Sequence, residues 1–485
     1  MKVIHLASEV GGGGAARSAL NLHSGLLRRG VNSVMIVGEI YGDIPQGVVQ
    51  IASMRDAEKE FTSESDLLVW SNRSNRSNTH FSLNLPGWDP LTCDLLQEAD
   101  LINLHWVAGC LSASSISALA SLGKPIVWTL HDMRPLTGGC HFSAGCEGFA
   151  YDCRECPQLN DDLDGLASKN KGLLARAIEE AEIHIVTPSS WMLERAKKAT
   201  SLRGGQISFI AYGVDSAHFA PGDKLQARQQ LGLDPEASYI LLASHNGRER
   251  RKGFDEALQI LQEFKKRAVI ARKVADASIR ILLCGHETGV VEFPGYMVDR
   301  VGYLDYEKMP TLYQAADVLL FTSLEDNMPN IVMEGLSCGL PIVGHELGGV
   351  RDLMRNDGNV EFLFPIGNIA LSCAQIETLI LDKSSQYQFG KSARDNMENA
   401  LSLDHQAKAY LKLYGDLLGK PRVCDKGKAV TRDEEYKVLL DAMSQKTKIL
   451  EKKHDTLVSE IKINRTVLGS KWVRAGQILG MCHKS

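Results

Sequence analysis

Two glycine- and cation-rich segments have the residue types needed to hold an anion. SEVGGGGAARSAL (8–20) places four consecutive glycines after an apolar run and before a helix-forming one. Glycines at the mouth of a helix let backbone N–H groups approach an anionic group, and the helix dipole favours negative charge there. Gly13 and Gly14 are therefore candidate phosphate-facing residues. Gly11, Gly13 and Ala16 also satisfy G-x-G-x-x-A, with Glu39 closing the next apolar run, as in a dinucleotide pocket. A tight turn that only packs a helix on a sheet is the structural alternative. The second segment, SHNGRERRKGFDEAL (244–258), carries Arg248, Arg250, Arg251 and Lys252 between a strand pattern and a helical one, where cations could face a diphosphate.

SLEDNMPNIVMEGLSCGLPIVG (323–344) supplies carboxylates. Asn330 is placed to cap a helix whose free donors can hold a diphosphate, and Glu334, one turn in, can accept from both hydroxyls of a ribose. Glu325 and Asp326 precede it as candidates to face a sugar. His131, in WTLHD, sits where a strand should end, able to bond a sugar or orient a hydroxyl, with a packed core histidine as the alternative. His105, in LHWV, is similarly placed one strand earlier. GGCHFSAGCEGFAYDCRECPQL then gathers Cys140, Cys146, Cys153 and Cys156 in C-x5-C-x6-C-x2-C spacing. Four thiolates suit a closed structural zinc site, and His141 could replace one of them. Reduced packing cysteines, a disulfide or an iron–sulfur site are the alternatives.

The elements that must position these groups follow from short apolar runs alternating with helical patterns. VIHLA (3–7), SVMIVG (33–38), LINLH (101–105), IVWTL (126–130) and IHIVT (183–187) form one series. YILLAS (239–244), IRILLCG (279–285), ADVLLFTS (316–323) and LPIVG (340–344) form a second. Such runs belong to parallel strands buried on both faces, so the expected class is α/β with two doubly wound Rossmann-like domains. The breakers Gly213, Pro221 and Gly222 place the boundary between 1–211 and 212–420. The polar near-repeat SNRSNRSN (71–78) is expected as a mobile surface loop.

The composition is that of a globular protein: 485 residues, 44% hydrophobic, 23% charged, net charge −5. That balance argues against a nucleic-acid partner for the whole chain. It averages two unlike parts, since residues 421–485 hold 14 Lys+Arg against 8 Asp+Glu, and the rest carries −11. Apolar positions Val438, Leu439, Met443, Ile449, Leu450, Leu457 and Ile461 suit an amphipathic helix with imperfect heptads. The end, 464–485, mixes Val467, Leu468, Trp472 and Val473 with Arg465, Lys471, Arg474 and Lys484, which suits a helix at an anionic membrane surface or a docking helix. No secretory leader and no membrane-spanning run of about 18 apolar residues is read, so a cytoplasmic protein is expected.

In this order, VGGGGAARS, YGVDSAHFAPGDK, RKGFDEAL, VGYLDYEKMPTLYQAADVLLFTSLEDNMPN and MEGLSCGLPIV resemble the retaining, nucleotide-sugar-dependent glycosyltransferases of family 4 over residues 1–418. TLHDMRPLTGGCHFSAGC and CPQL resemble its exopolysaccharide branch, colanic-acid type included. The resemblance implies a GT-B fold with an interdomain cleft, a nucleotide-sugar donor, a saccharide or lipid-linked acceptor and no catalytic metal. It implies that Arg248 and Lys252 neutralise the departing diphosphate, with Arg251 a rival to Arg248, and that Glu334 binds the ribose. The family's sugar-facing acid lies seven intervening residues ahead of Glu334, which is Asp326 here, with Glu325 one further. His131 takes an active-site role, and the cysteine loop (138–158) borders the acceptor crevice. Other classes considered are a sugar-nucleotide epimerase or hydrolase on the same sheets, a dinucleotide-dependent oxidoreductase and a non-catalytic assembly scaffold.

Overall fold

The computed structural model describes residues 1–54, 67–84, 87–286, 292–420 and 429–478. Two parallel sheets dominate. The first contains β1 (Lys2–Val10), β2 (Asn32–Ile40), β3 (Val48–Gln50), β4 (Leu101–Leu104), β5 (Ile126–Thr129), β6 (His184–Thr187) and β7 (Ile207–Phe209), in the order β3-β2-β1-β4-β5-β6-β7. The second contains β8 (Ser238–Asn246), β9 (Ile279–His286), β10 (Met297–Gly302), β11 (Val318–Phe321), β12 (Ile342–His345) and β13 (Leu363–Phe364), in the order β10-β9-β8-β11-β12-β13. All pairings are parallel, so helices cover both faces and the inner strands are mostly apolar and buried. The nine apolar runs of the sequence are the nine inner strands. The four strands without such a run, β3, β7, β10 and β13, are the four sheet edges. Three of them are only two or three residues long, and β10 is half exposed, so none needs a continuous apolar stretch.

The chain passes from the first sheet to the second at Tyr212–Val214 and returns at Leu401–Leu403, and the two crossings run side by side. Val214 N–H donates to the Leu401 carbonyl at 2.8 Å, and Leu403 N–H donates to the Val214 carbonyl at 3.1 Å. Gly213 permits this approach, since a Cβ there would lie 2.7 Å from the Ser402 carbonyl oxygen. The helix after the return, Leu403–Leu418, packs on the first sheet rather than the second. Its Tyr410 and Tyr414 are fully buried against Val3, Leu101 and Val127 and bond Thr129 and Asn103. The segment assigned from sequence to the second domain therefore ends structurally on the first.

A helix of 47 residues, Arg432–Ile478, follows. Val438, Leu439, Ala442, Met443 and Ile449 pack on the first domain, and buried Glu435 accepts from Ser114 N–H and Oγ at the start of the helix Ala113–Ala120. Leu450 and Leu457 are exposed. The side chains of the basic end, from Ile461 through Trp472 to Lys484, lie outside the described residues, and so does the membrane-surface expectation made for them. Among the described residues no helix is long and apolar enough to cross a membrane.

Candidate active site

The carboxyl ends of both sheets face one cleft, where open sheets of this kind place ligands. A cavity of about 280 Å³ lies there. Two helices from opposite domains begin at its wall. Gly14–Arg28 starts at Gly13, and Asn330–Ser337 starts at Pro329, and neither has a side-chain cap. Gly12, Gly13, Gly14 and Ala15 line one side and Pro329, Asn330 and Ile331 the other. The uncapped first-turn N–H groups thus give the cavity two positive helix ends. No atom lies within 4 Å of a Cβ built on Gly13, so the bare backbone leaves room for a ligand.

Asn330 does not cap its helix, contrary to the sequence reading. It is the first helical residue, too far along for its side chain to reach back to the first-turn donors. Instead Nδ2 donates to the Gly14 carbonyl at 2.9 Å and Oδ1 accepts from Ser18 Oγ at 3.1 Å, tying the two helix ends together. Asn327 makes a second tie, donating to the Leu130 and His131 carbonyls at 3.0 and 3.1 Å.

Four charged side chains of the second domain line the cavity. Lys252 Nζ lies 2.9 Å from Asp326 Oδ2, and Arg251 lies 3.2 Å from the same oxygen. These cations hold the Asp326 carboxyl below its usual range despite burial. Arg251 also pairs with Glu249 and stacks over Phe142 at 3.9 Å. Glu334, 3% exposed, accepts from Arg17 at 2.7 Å and from the Tyr313 hydroxyl at 2.6 Å. Each carboxylate oxygen keeps a further lone pair for a ligand hydroxyl.

The structure separates the paired candidates. Asp326 lines the cavity, whereas Glu325 turns outward and accepts from Ser143 N–H and Oγ and from Ala144 N–H at 3.1, 2.9 and 2.8 Å. Arg251 and Lys252 line the cavity, and Arg248 does not. The Arg248 carbonyl and the Arg250 N–H bond the Asn78 side chain, so the segment 71–78 is pinned across the cleft rather than loose. Ser74 Oγ fixes its other end on the Pro157 carbonyl at 2.6 Å.

His131 lines the cavity with both ring nitrogens engaged. Nδ1 lies 2.6 Å from the Tyr212 hydroxyl and Nε2 lies 2.9 Å from His105 Nδ1, whose Nε2 in turn lies 2.9 Å from His5 Nδ1. Burial lowers the His131 pKa to about 4 and drives His105 and His5 down as well, so all three are neutral at pH 7. A neutral imidazole with both nitrogens taken presents no free donor or acceptor in this arrangement, so His131 forms part of the cavity wall. His5 and Tyr212 were missed from sequence. The available signal was a histidine in or just beyond each of three adjacent strands, β1, β4 and β5.

The cysteine loop does not assemble the expected zinc site. Among the described residues no three His, Cys, Asp or Glu side chains are grouped to hold one ion. Cys140 is buried and, with Cys153 and Cys156, packs in an apolar cluster containing Phe81, Leu83 and Leu159. Burial pushes the Cys140 and Cys156 thiols up, and Cys153 to about 11, favouring the protonated form. Cys146 Sγ accepts from Gly148 N–H at 3.3 Å. His141 is spent on Asp132 at 2.6 Å and Ser82 at 2.9 Å. The thiols act as small apolar groups. The dinucleotide reading fares no better, since Glu39 accepts from the Tyr41 hydroxyl at 2.5 Å and does not line the cavity.

Two sheets facing one cleft, with cations, carboxylates and two open helix ends between them, define a GT-B architecture. Residues 238–382, within the second domain, match the family described as Glycosyl transferases group 1. The colanic acid biosynthesis glycosyl transferase WcaC of Escherichia coli (strain K12) is 27% identical over 242 residues, 48% of this chain and 55% of that protein. The match thus spans about half the length of that relative. Sucrose-phosphate synthase from Thermosynechococcus elongatus superposes with a TM-score of 0.59 at 15% identity, over 86% of this chain and 99% of that one. HepE of Anabaena in complex with UDP-glucose superposes with a TM-score of 0.54 at 15% identity, over 86% and 100%.

Proposed function

We propose that the chain transfers a hexose from a nucleotide-sugar donor to a saccharide acceptor with retention of anomeric configuration. The observation that carries this reading is the convergence, on one cavity, of two uncapped helix ends from opposite domains with Arg251, Lys252, Asp326 and Glu334. The diphosphate lies against the helix ends at Gly13–Gly14 and Asn330, and Arg251 and Lys252 exchange part of their contact with Asp326 for it. Charge on the leaving phosphate is then stabilised by fixed donors without a divalent ion. Glu334 accepts from the ribose hydroxyls while Arg17 and Tyr313 hold its carboxylate, and Asp326 faces the sugar. The acceptor hydroxyl attacks the anomeric carbon on the face the phosphate leaves, the bond from anomeric carbon to phosphate oxygen breaks, and that phosphate oxygen takes the acceptor proton.

The WcaC likeness and the UDP-glucose bound by HepE support a uridine-type donor and an exopolysaccharide product. Five basic and no acidic residues after Glu460 support work beside an anionic membrane surface on a lipid-linked acceptor. The test is calorimetric titration of a nucleotide-sugar panel, with transfer assayed in parallel. Lys252→Ala and Glu334→Ala are expected to abolish transfer with unchanged circular dichroism, and full activity in either purified variant would refute the assignment.

A further inference from the structure

A second cavity, about 570 Å³, opens beside the first, and Arg251 lines both. Its walls come from both domains: the cysteine loop at Ser143–Gly145, the segment at Arg76–Thr79, the helix Ser190–Lys198 with Trp191 and Arg195, and Arg250 with Leu347 and Gly348. Although residues 1–420 are acidic overall, this wall gathers four arginines. Arg251 is paired, but Arg76, Arg195 and Arg250 are in no ion pair among the described residues. Arg76 Nε donates to the Ala144 carbonyl at 3.1 Å, and Arg250 donates to the Asn75 carbonyl at 2.9 Å. The Arg195 guanidinium lies over the Trp191 ring at 4.1 Å, and its buried Nε has no hydrogen-bond partner. Glu325, Glu147 and Glu194 act on Arg195 through space, but none forms an ion pair with it, and the two carboxylates in the wall are bonded elsewhere. Glu325 is spent on the loop N–H groups, and Glu346 is paired with Arg351.

Three arginines in no ion pair on the wall of one cavity, one of them seated over an indole, suit a planar or tetrahedral anion. We propose that this cavity is the acceptor subsite and that it selects a saccharide bearing an anionic group, either the carboxylate of an acidic sugar or a phosphate on the sugar. This rests on the transferase reading, which fixes the neighbouring cavity as the donor site. Arg251 then touches both substrates and sets the acceptor beside Asp326.

The experiment titrates the full chain, saturated with UDP to fill the donor cavity, with methyl glucuronide, glucose 1-phosphate and methyl glucoside by calorimetry. At least one anionic sugar is expected to bind about tenfold or more tighter than the neutral glycoside, as charge-assisted hydrogen bonds would give. Preference for the glucuronide identifies a carboxylate acceptor, and preference for the phosphate a phosphorylated one. The Arg195→Gln/Arg250→Gln variant should lose that preference and keep its affinity for UDP, since neither residue lines the donor cavity. Arg76→Gln, at an exposed position, should weaken it without affecting the fold. Equal binding of all three sugars, or a preference that survives the double variant, overturns the proposal. Failure of the wild type to bind UDP or UDP-sugars counts against the transferase reading instead.

Discussion

The segments 323–337 and 138–158 touch across the cleft, yet they are held in opposite ways. In the first, the helix end at Pro329–Asn330 has no cap, and the carboxylates of Asp326 and Glu334 are bonded to long cationic side chains that can shift when a ligand arrives. In the second, polar groups are satisfied within the protein. Glu325 takes the N–H groups of Ser143 and Ala144, Asp132 takes His141, and the thiols pack on one another's apolar neighbours. Positive φ at Ala144, Cys153 and Glu155 shows the backbone bent to make that closure. Charged residues that face the cavity keep exchangeable partners, whereas residues that build a wall spend theirs on the fold.

Adjacent carboxylates put this contrast to its hardest test. Asp326→Asn removes the charge that holds Lys252 and Arg251 at the cavity, and kcat/KM for transfer should fall by about 10²-fold or more, the equivalent of roughly 3 kcal/mol for a lost charge-assisted contact. Glu325→Gln keeps an acceptor for the loop N–H groups, so its effect should stay within about tenfold and fall on the acceptor KM. Equal losses in the two variants would erase the distinction between cavity-facing and wall residues. Steady-state kinetics with donor and acceptor varied separately make the comparison.

The same contrast explains what the residues disclosed before the structure was known. Inner strands must be apolar on both faces, so all nine could be read from sequence, and with them the two sheets and the cleft. Edge strands such as β10, half exposed, carry no such mark. That Gly13, Lys252 and Glu334 line the cleft was legible because a glycine run, a cation cluster and a carboxylate each stand beside a strand end or a helix start. Glu325 and Asp326 were not separable, because one residue of loop path decides which side chain turns inward, and that path is set by Arg251 accepting Leu324 N–H at its carbonyl 2.7 Å away. The cysteine loop misled because spacing alone does not distinguish four ligands from four small packing groups. The crossing of Leu403–Leu418 back to the first sheet was hidden because a helix's apolar face does not name the sheet it covers.

The histidine row belongs with the wall residues, so it should show itself in stability. His131, His105 and His5 are neutral when folded, with His131 lowered to about 4, while in the unfolded chain each titrates near 6.5. Between these values the unfolded chain binds more protons, so stability should fall as pH drops from 6.5 toward 4. His131→Gln should flatten that dependence by up to about 1.4 kcal/mol per pH unit in the same window, whatever it costs at pH 7. Denaturant unfolding at pH 7, 6 and 5 measures both slopes, and parallel slopes would place His131 outside the neutral row.

The smallest effect is expected where zinc was first read. Cys146 is partly exposed, and its sulfur accepts a single N–H, from Gly148, a bond that a serine hydroxyl can also accept. Cys146→Ser should therefore change stability by less than about 1 kcal/mol, within the range of ordinary substitutions away from a core. A closed four-cysteine zinc site would behave otherwise, because losing one thiolate would forfeit metal affinity that is coupled directly to folding. Elemental analysis of the purified chain, with melting followed before and after a strong chelator, separates the cases. Stoichiometric zinc with a large chelator-induced drop in Tm would move the cysteine loop out of the self-satisfied class, while an unchanged Tm keeps Cys140, Cys153 and Cys156 as apolar packing that shapes one wall of the cleft.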